Sequence, residues 1–470
     1  MTNYRVATSR VIHRSLCTET ISAAQGTSQS SREKKLYKKL SPLAHHNAPE
    51  TEVAAILNEW NRTDKPLKRF ELIRCIKSFR SRQDYHLALE LIRWMETSDM
   101  GVNNSDRALE IDLLCKNEGI ESAEKYFNEL QQSAKTNKTY GALFSCYCRE
   151  KNLDKALELF EKMKELGFVS TLDYNNLISV YLKTGQPQRL HSIVEEMEQT
   201  SVSLNIYTYN ILINSYASMK DFDAVEGVLK KMKSKEIRYD WFTYGNLANI
   251  YINSGLLDKA SSIIKEMENK KHLLNEEALQ TMIGIHARTK NLSGVYTAWE
   301  LLKSKCPTPS NKSYLIMLLT LFKMGESESI EKYFQEWEAG CSNYDVRLSN
   351  VLLEFYLNRE MIEEANMLYE RVQKRGREPN LKACEMLSNF FIKKGDINLA
   401  LKHLDVGAKI AIPKKHKWYP TDETINRFLE YFEKGNDTEN AMVFMECMKR
   451  IDRLDSAVYE SLVGASVAST

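Results

Sequence analysis

Cysteine and histidine, nine of each, are the residues of this 470-residue chain best equipped for metal, thiol or acid–base chemistry. Their spacing arranges none of it. Cys75, Cys115, Cys146, Cys148, Cys306, Cys341, Cys384 and Cys447 lie scattered over segments of helical periodicity, and Cys17 stands near the amino terminus. No C-x-x-C pair occurs, so free thiols packed as small hydrophobes in a reducing compartment are expected, not disulfides or a zinc site. Cys146 and Cys148, two apart on a helix, point away from each other. His45-His46 falls in a polar stretch and reads as a loop pair, not a metal site. No H-x-E with a downstream C-x-x-C is present, which excludes a zinc nucleobase deaminase. Phosphate-loop and G-x-S-x-G signatures are also missing. The expectation is a non-enzyme with no catalytic residue, metal, cofactor or small-molecule substrate.

What does recur is a pattern of polar, aromatic and basic residues at a fixed step. Tyr174-Asn175, Tyr209-Asn210 and Tyr244-Gly245 follow one another every 35 residues, and Met163, Met197, Met232 and Met267 keep nearly the same step. Within 171–205, Tyr174, Leu177, Ile178 and Tyr181 fall at i, i+3, i+4 and i+7, one stripe of a helix. Gly185 and Pro187 break it, and Leu190, Ile193, Val194 and Met197 form a second stripe. Each repeat therefore reads as a helical hairpin. At 206–240 Asp221 is read in the place of the breaking glycine, and at 241–275 Ser254-Gly255 marks the turn.

The pattern extends, with wear, to units at 69–103, 104–136 and 137–170 upstream and 276–310, 311–345 and 346–380 downstream. A unit from Leu381 carries an insertion containing Pro413, Trp418 and Pro420, and a degenerate unit spans about 421–455. The expected organisation is a leader over 1–35, a helical lead-in over 36–68, about ten repeats over 69–455 (cleanest at 137–275) and a tail over 456–470. A unit this short cannot bury its own apolar face, so only a stack gives a continuous core.

Composition narrows the setting. The leader is rich in Ser, Thr and Arg (Arg5, Arg10, Arg14), and Glu19 is its one acidic residue before position 32. That is the composition of an organelle transit peptide removed on import, leaning to the mitochondrion, with the chloroplast as the alternative. Hydrophobic residues make up 43% of the chain, yet no run approaches the length of a membrane span. Net charge is only +2, from 65 basic and 63 acidic residues, weaker than in many nucleic-acid binders. The first fourteen residues of the seven repeats from 171 to 381 nevertheless hold nine Lys or Arg against five Asp or Glu.

Tyr-Asn-x-Leu-Ile at Tyr174–Ile178 and Tyr209–Ile213, with Leu-Asp-Lys-Ala-Leu-Glu-Leu-Phe-Glu-Lys-Met at Leu153–Met163, resembles the pentatricopeptide repeat consensus. The likeness is to the P type of plant organelles. It implies an all-α fold, a right-handed superhelical solenoid of hairpin repeats of about 35 residues, that binds single-stranded RNA one base per repeat. In that family the residue after the aromatic, fifth in the repeat, and the last residue of the same repeat read a base edge together. The resemblance assigns this role to Asn175 with Asn205, Asn210 with Asp240, Gly245 with Asn275, and Asn350 with Asn380. Gly141 with Ser170, Gln280 with Ser310 and Leu315 with Asp345 occupy the same places less legibly. Leu172, Tyr207 and Phe242 hold the second position, which wedges between bases; Glu277, Lys312, Arg347 and Lys382 stand there later. Arg149, Lys183, Arg288, Lys323 and Lys393 hold the thirteenth, which approaches phosphate. The resemblance thus implies an RNA-binding adaptor acting by occupancy in RNA stabilisation, processing or translation. The alternative is a structural or protein-interaction scaffold, such as a component associated with the mitochondrial ribosome. Trp299, Trp337 and Trp418 would suit a partner-facing groove in that alternative, or else the core of second helices.

Overall fold

The apolar stripes produce helices throughout the computed structural model, which describes residues 31–45, 50–63, 66–98, 100–200, 202–375, 380–411, 420–435 and 437–451. Among these residues there is no strand. Residues 1–30 of the leader expected over 1–35, His46, Pro413, Trp418 and the tail over 456–470 lie outside the described residues, while 31–35 begin the helix Ser31–Leu40. The chain divides into two compact units, Met1–Arg238 and Tyr239–Thr470.

In the first unit, helices Ser31–Leu40 and Glu50–Thr63 precede five hairpins. These are Arg69–Ser81 with Tyr85–Thr97, Asn104–Asn117 with Ile120–Glu129, Asn137–Arg149 with Leu153–Glu165, Thr171–Lys183 with Leu190–Gln199, and Ile206–Ser218 with Phe222–Ser234. The second unit holds six: Trp241–Asn253 with Leu257–Asn269, Glu276–Arg288 with Leu292–Lys305, Asn311–Met324 with Ser327–Gly340, Val346–Asn358 with Ile362–Lys374, Leu381–Lys393 with Ile397–Ala411, and Asp422–Gly435 with Thr438–Arg450. Within each unit a first helix packs against its own second helix and against the first helix of the next hairpin. The lead-in closes the start of the first unit: Tyr37 stacks on Phe79 at 4.7 Å, and Trp94 Nε1 donates to Asn58.

One device ends the seven successive first helices from Thr171–Lys183 to Leu381–Lys393. The helix's last carbonyls lack partners of their own, and a left-handed residue just past the end lets the following N–H reach back to them. Gly185, Lys220, Gly255, Lys290, Gly325, Glu360 and Gly395 all have positive φ. The next residue in each case donates to a carbonyl five back, as in Gln186 to Tyr181, Leu256 to Tyr251 and Asp396 to Phe391. This corrects the reading of Asp221. Lys220 is the counterpart of Gly185, while Asp221 caps the second helix by accepting from the Ala224 N–H.

The aromatic and methionine markers turn out to be hairpin core. Tyr174, Tyr209 and Tyr244 are at most 3% exposed, and Met163, Met197, Met232 and Met267 at most 1%. A buried phenol needs a partner. Tyr174, Tyr244 and Tyr314 donate to Glu196, Glu266 and Glu336, each 22 residues onward on the second helix. Trp299 and Trp337 are 0% and 2% exposed, so they pack in the core and line no groove. Eight free cysteines are described, and the Cys146 thiol donates to the Ile111 carbonyl of the preceding first helix.

Candidate nucleic-acid interface

The last residue of each repeat is also the N-cap of the next first helix. The first turn of a helix leaves backbone N–H groups unpaired, and a short polar side chain just before it supplies the acceptor. Asn205 accepts from the Thr208 N–H, Asp240 from Thr243, Asn275 from Ala278, Ser310 from Ser313, and Asn380 from Ala383. Asp345 accepts from the Arg347 N–H and from its guanidinium, which holds the carboxyl below its ordinary pKa. Polarity at this position is therefore demanded by the fold before any ligand is considered.

The fifth residues sit at equal steps along the first helices, but they do not stand open. Asn175 is 0% exposed, and neither of its amide atoms has a hydrogen-bond partner. Asn210 is 4% exposed. At Gly245 an added Cβ would lie 2.7 Å from the Thr281 methyl, so the neighbouring helix already fills that space. Gln280 donates through Nε2 to Ser313 of the following repeat at 2.8 Å. Asn350 and Asn380, a pair that the resemblance singles out, are brought together, with Asn380 Nδ2 donating to Asn350 Oδ1 at 2.6 Å. Glu385, fifth in its repeat and absent from the sequence-based set, accepts from the Thr421 N–H at 2.8 Å. The residues to which the resemblance assigns base reading, Asn175, Asn210 and Gly245, thus lie in a seam in which they are covered. Packing of one first helix on the next is the cause.

At the second position, Leu172, Tyr207 and Phe242 are half-buried, and the Phe242 ring meets Trp241 edge-on at 6.0 Å. Glu277, Lys312, Arg347 and Lys382 are exposed; Arg347 pairs with Asp345 and Lys382 with Glu385.

The basic residues at the thirteenth position divide into two kinds. Lys183, Arg288, Lys323 and Lys393 are exposed at helix ends. Arg288 reaches Asn249 and Asn253 on the preceding first helix. Burial lowers the Lys183 pKa, and repulsion from Lys151 and Arg149 adds to the drop. Arg149 is a correction to the phosphate-contacting set. Its guanidinium bonds Asp112 at 2.8 Å and the Cys146 thiol, inside a cluster where Arg80 and Lys116 share the same carboxylate. Burial alone would raise the Asp112 pKa, but the three cations hold it at about 2. Arg149 balances a buried charge and is spoken for. Glu196 on the second helix is also committed, since it receives Tyr174 and pairs with Lys164 of the preceding repeat. Among the described residues no cluster of three His, Cys, Asp or Glu could hold a metal, and no helix is long and apolar enough to cross a membrane.

The PPR repeat family model matches residues 170–218 and 205–250, and the PPR repeat model matches 138–168 and 242–272. Two mitochondrial pentatricopeptide repeat-containing proteins of Arabidopsis thaliana are each 35% identical to the chain. One aligns over 93% of this chain and 82% of its own length, the other over 95% and 88%. The large ribosomal subunit protein mL101 (rPPR4) of Arabidopsis thaliana is 33% identical over 89% of this chain and 86% of its own. Among solved structures, the pentatricopeptide repeat protein PPR10 from maize aligns at a TM-score of 0.49 and 18% identity, over 98% of this chain and 68% of its own. PPR10 in complex with an 18-nt psaJ RNA element aligns at 0.49 and 17%, over 84% of this chain and 61% of that one. The chain belongs to the pentatricopeptide repeat family.

Proposed function

We propose that this protein is a plant mitochondrial adaptor that binds single-stranded RNA and acts by occupancy, without catalysis, in stabilising, processing or translating a transcript. Asn175 carries the reading. A buried amide that neither donates nor accepts costs about 1–3 kcal/mol, whereas an apolar side chain of similar size would incur no such cost. The partner an amide matches is a group offering donor and acceptor side by side, which the edge of an unpaired base does. Asn175 stands at the fifth position of a repeat that matches the family model. In this reading RNA binding entails a local opening around Asn175, and the hydrogen bonds then gained help offset it. The mitochondrial relatives support the location, and the exposed cations at Lys183, Arg288, Lys323 and Lys393 support contact with a phosphate backbone.

The test uses the whole protein and the RNAs it retains from a random-sequence single-stranded pool. Asn175→Leu is expected to melt at the same or a higher temperature than the native chain, yet to bind those RNAs roughly tenfold more weakly. A lower melting temperature with unchanged RNA affinity would assign the amide to the fold and defeat the reading. A second reading, a stable component of the mitochondrial ribosome, is favoured by the likeness to mL101 and by the closed contacts of Gln280 and of Asn350 with Asn380.

A further inference from the structure

Within the second unit a cleft opens between the second helices Ser327–Gly340 and Ile362–Lys374, with the first helix Val346–Asn358 as its floor. Its volume is about 300 Å³. Glu331 and Phe334 come from one wall, Tyr356 from the floor, and Glu364, Met367 and Arg371 from the other wall. The wall positions fall at i, i+3 and at i, i+3, i+7, so each second helix turns one stripe to the cleft. Phe334 and Tyr356 are buried, whereas the Met367 thioether at the rim is 64% exposed. Arg371 is committed: it pairs with Glu338 at 3.5 Å and lies over the Phe334 ring at 5.9 Å. Among the described residues neither Glu331 nor Glu364 has an ion-pair partner, although both are half-buried. Their charges reach the floor. Burial first, then Glu331 and Glu364 acting against Arg371, pushes the Tyr356 phenol up to about 12.

We infer that this cleft docks a protein partner through one lysine or arginine side chain, its alkyl stem on Phe334, Tyr356 and Met367 and its cationic head between Glu331 and Glu364. Half-buried carboxylates that lack a cation carry a desolvation cost, which an incoming ammonium or guanidinium offsets. Aromatic rings attract the same cation, and a thioether adapts to the stem beside it. Lysine and arginine join an apolar stem to a charged head, which is the pairing this lining complements. A phosphate would be repelled by both carboxylates, and an apolar side chain would bury them further without a partner. The volume lies at the lower end of small-ligand clefts, room for one long side chain. The inference goes beyond the RNA-binding reading and does not depend on it: the cleft opens between second helices, whereas the fifth and thirteenth positions lie on first helices.

The experiment uses the whole protein with isotope-labelled methionine methyls and dye-labelled peptides of sequence Ala-Leu-X-Leu-Ala, where X is arginine, lysine, glutamine or glutamate. Fluorescence anisotropy is expected to show saturable binding of the arginine and lysine peptides and roughly tenfold weaker binding of the other two. The Met367 methyl resonance, identified by its loss in Met367→Leu, is expected to shift with the cationic peptides. Glu331→Gln combined with Glu364→Gln should weaken the arginine peptide roughly tenfold. Met367→Lys, which supplies a cation from within the chain, should abolish binding while keeping or raising the melting temperature. Equal affinity for the arginine and glutamine peptides would reduce the cleft to an apolar surface and overturn the inference. Unchanged affinity in both the glutamine double variant and Met367→Lys would place binding elsewhere and overturn it too. A Met367 shift with a random-sequence single-stranded RNA pool, and none with the peptides, would assign the cleft to nucleic acid instead. None of these failures touches the RNA-binding reading at Asn175.

Discussion

Glu110 places a carboxyl where a charge is least welcome. It is 3% exposed on the first helix Asn104–Asn117 and accepts from the Tyr126 hydroxyl at 2.6 Å. Burial raises its pKa, the Tyr126 hydrogen bond opposes the rise, Glu96 adds to it, and Arg93 and Arg107 oppose it, for a net value of about 7. The folded chain therefore holds this proton more tightly than the unfolded chain does. The corresponding stability is complete below the ordinary value of 4.5 and is lost as pH climbs through about 7. Glu110→Gln keeps an acceptor for Tyr126 but cannot ionise. Denaturant unfolding should show the variant gaining on the native chain between about pH 5 and pH 8, by something on the order of 2–3 kcal/mol. Parallel stability curves over that window would remove Glu110 from the account. The same residue scale shows what sequence could convey about the site. The positions of Asn175, Asn210 and Asn350 were legible because they recur at the repeat period. The burial of Asn175 and Asn210 was not, since it depends on how closely one first helix settles on the next. Arg149 was misread for a related reason: Asp112, its partner, stands 37 residues upstream and leaves no local signal.

At the scale of the element, the turn after each first helix separates what periodicity conveys from what it hides. Gly185 and Gly255 were visible as breakers, and they do occupy the left-handed region, as do Gly325 and Gly395. Lys220, Lys290 and Glu360 occupy the same conformation in the intervening repeats, and nothing in a lysine or a glutamate announces it. Hairpins were legible because two apolar stripes and a polar break suffice to specify them; the turn residue was not, because the stack imposes it. A left-handed non-glycine residue costs about 1–2 kcal/mol, offset in part by the entropy a glycine would lose. A Cβ at Gly255 would meet nothing within 4 Å, so backbone conformation alone sets the effect of a substitution there. Gly255→Ala should lower stability by about 1 kcal/mol, and Lys290→Gly should leave it unchanged or raise it. Thermal melts of the two variants decide the matter. Shifts of the same sign would mean that the turns do not share one conformation.

For the molecule as a whole, charge decides what kind of RNA complex is possible. The net charge is only +2, and Arg149 is already committed to Asp112. Contacts to a phosphate backbone then fall to Lys183, Arg288, Lys323 and Lys393. On a single strand each neutralised phosphate contributes about 0.7 to the slope of log affinity against log salt. Four contacts give a slope of about −3, so affinity should fall by well over tenfold between roughly 0.1 and 0.3 M salt. Filter binding of the purified protein across that range measures it. A slope of about −7 or steeper would require cations outside this set and would move the interface elsewhere on the chain. A chain held in the mitochondrial ribosome by closed protein and RNA contacts would instead stay with the large subunit through the same salt wash. Retention there, together with salt-insensitive binding, would favour the ribosomal reading over the free adaptor.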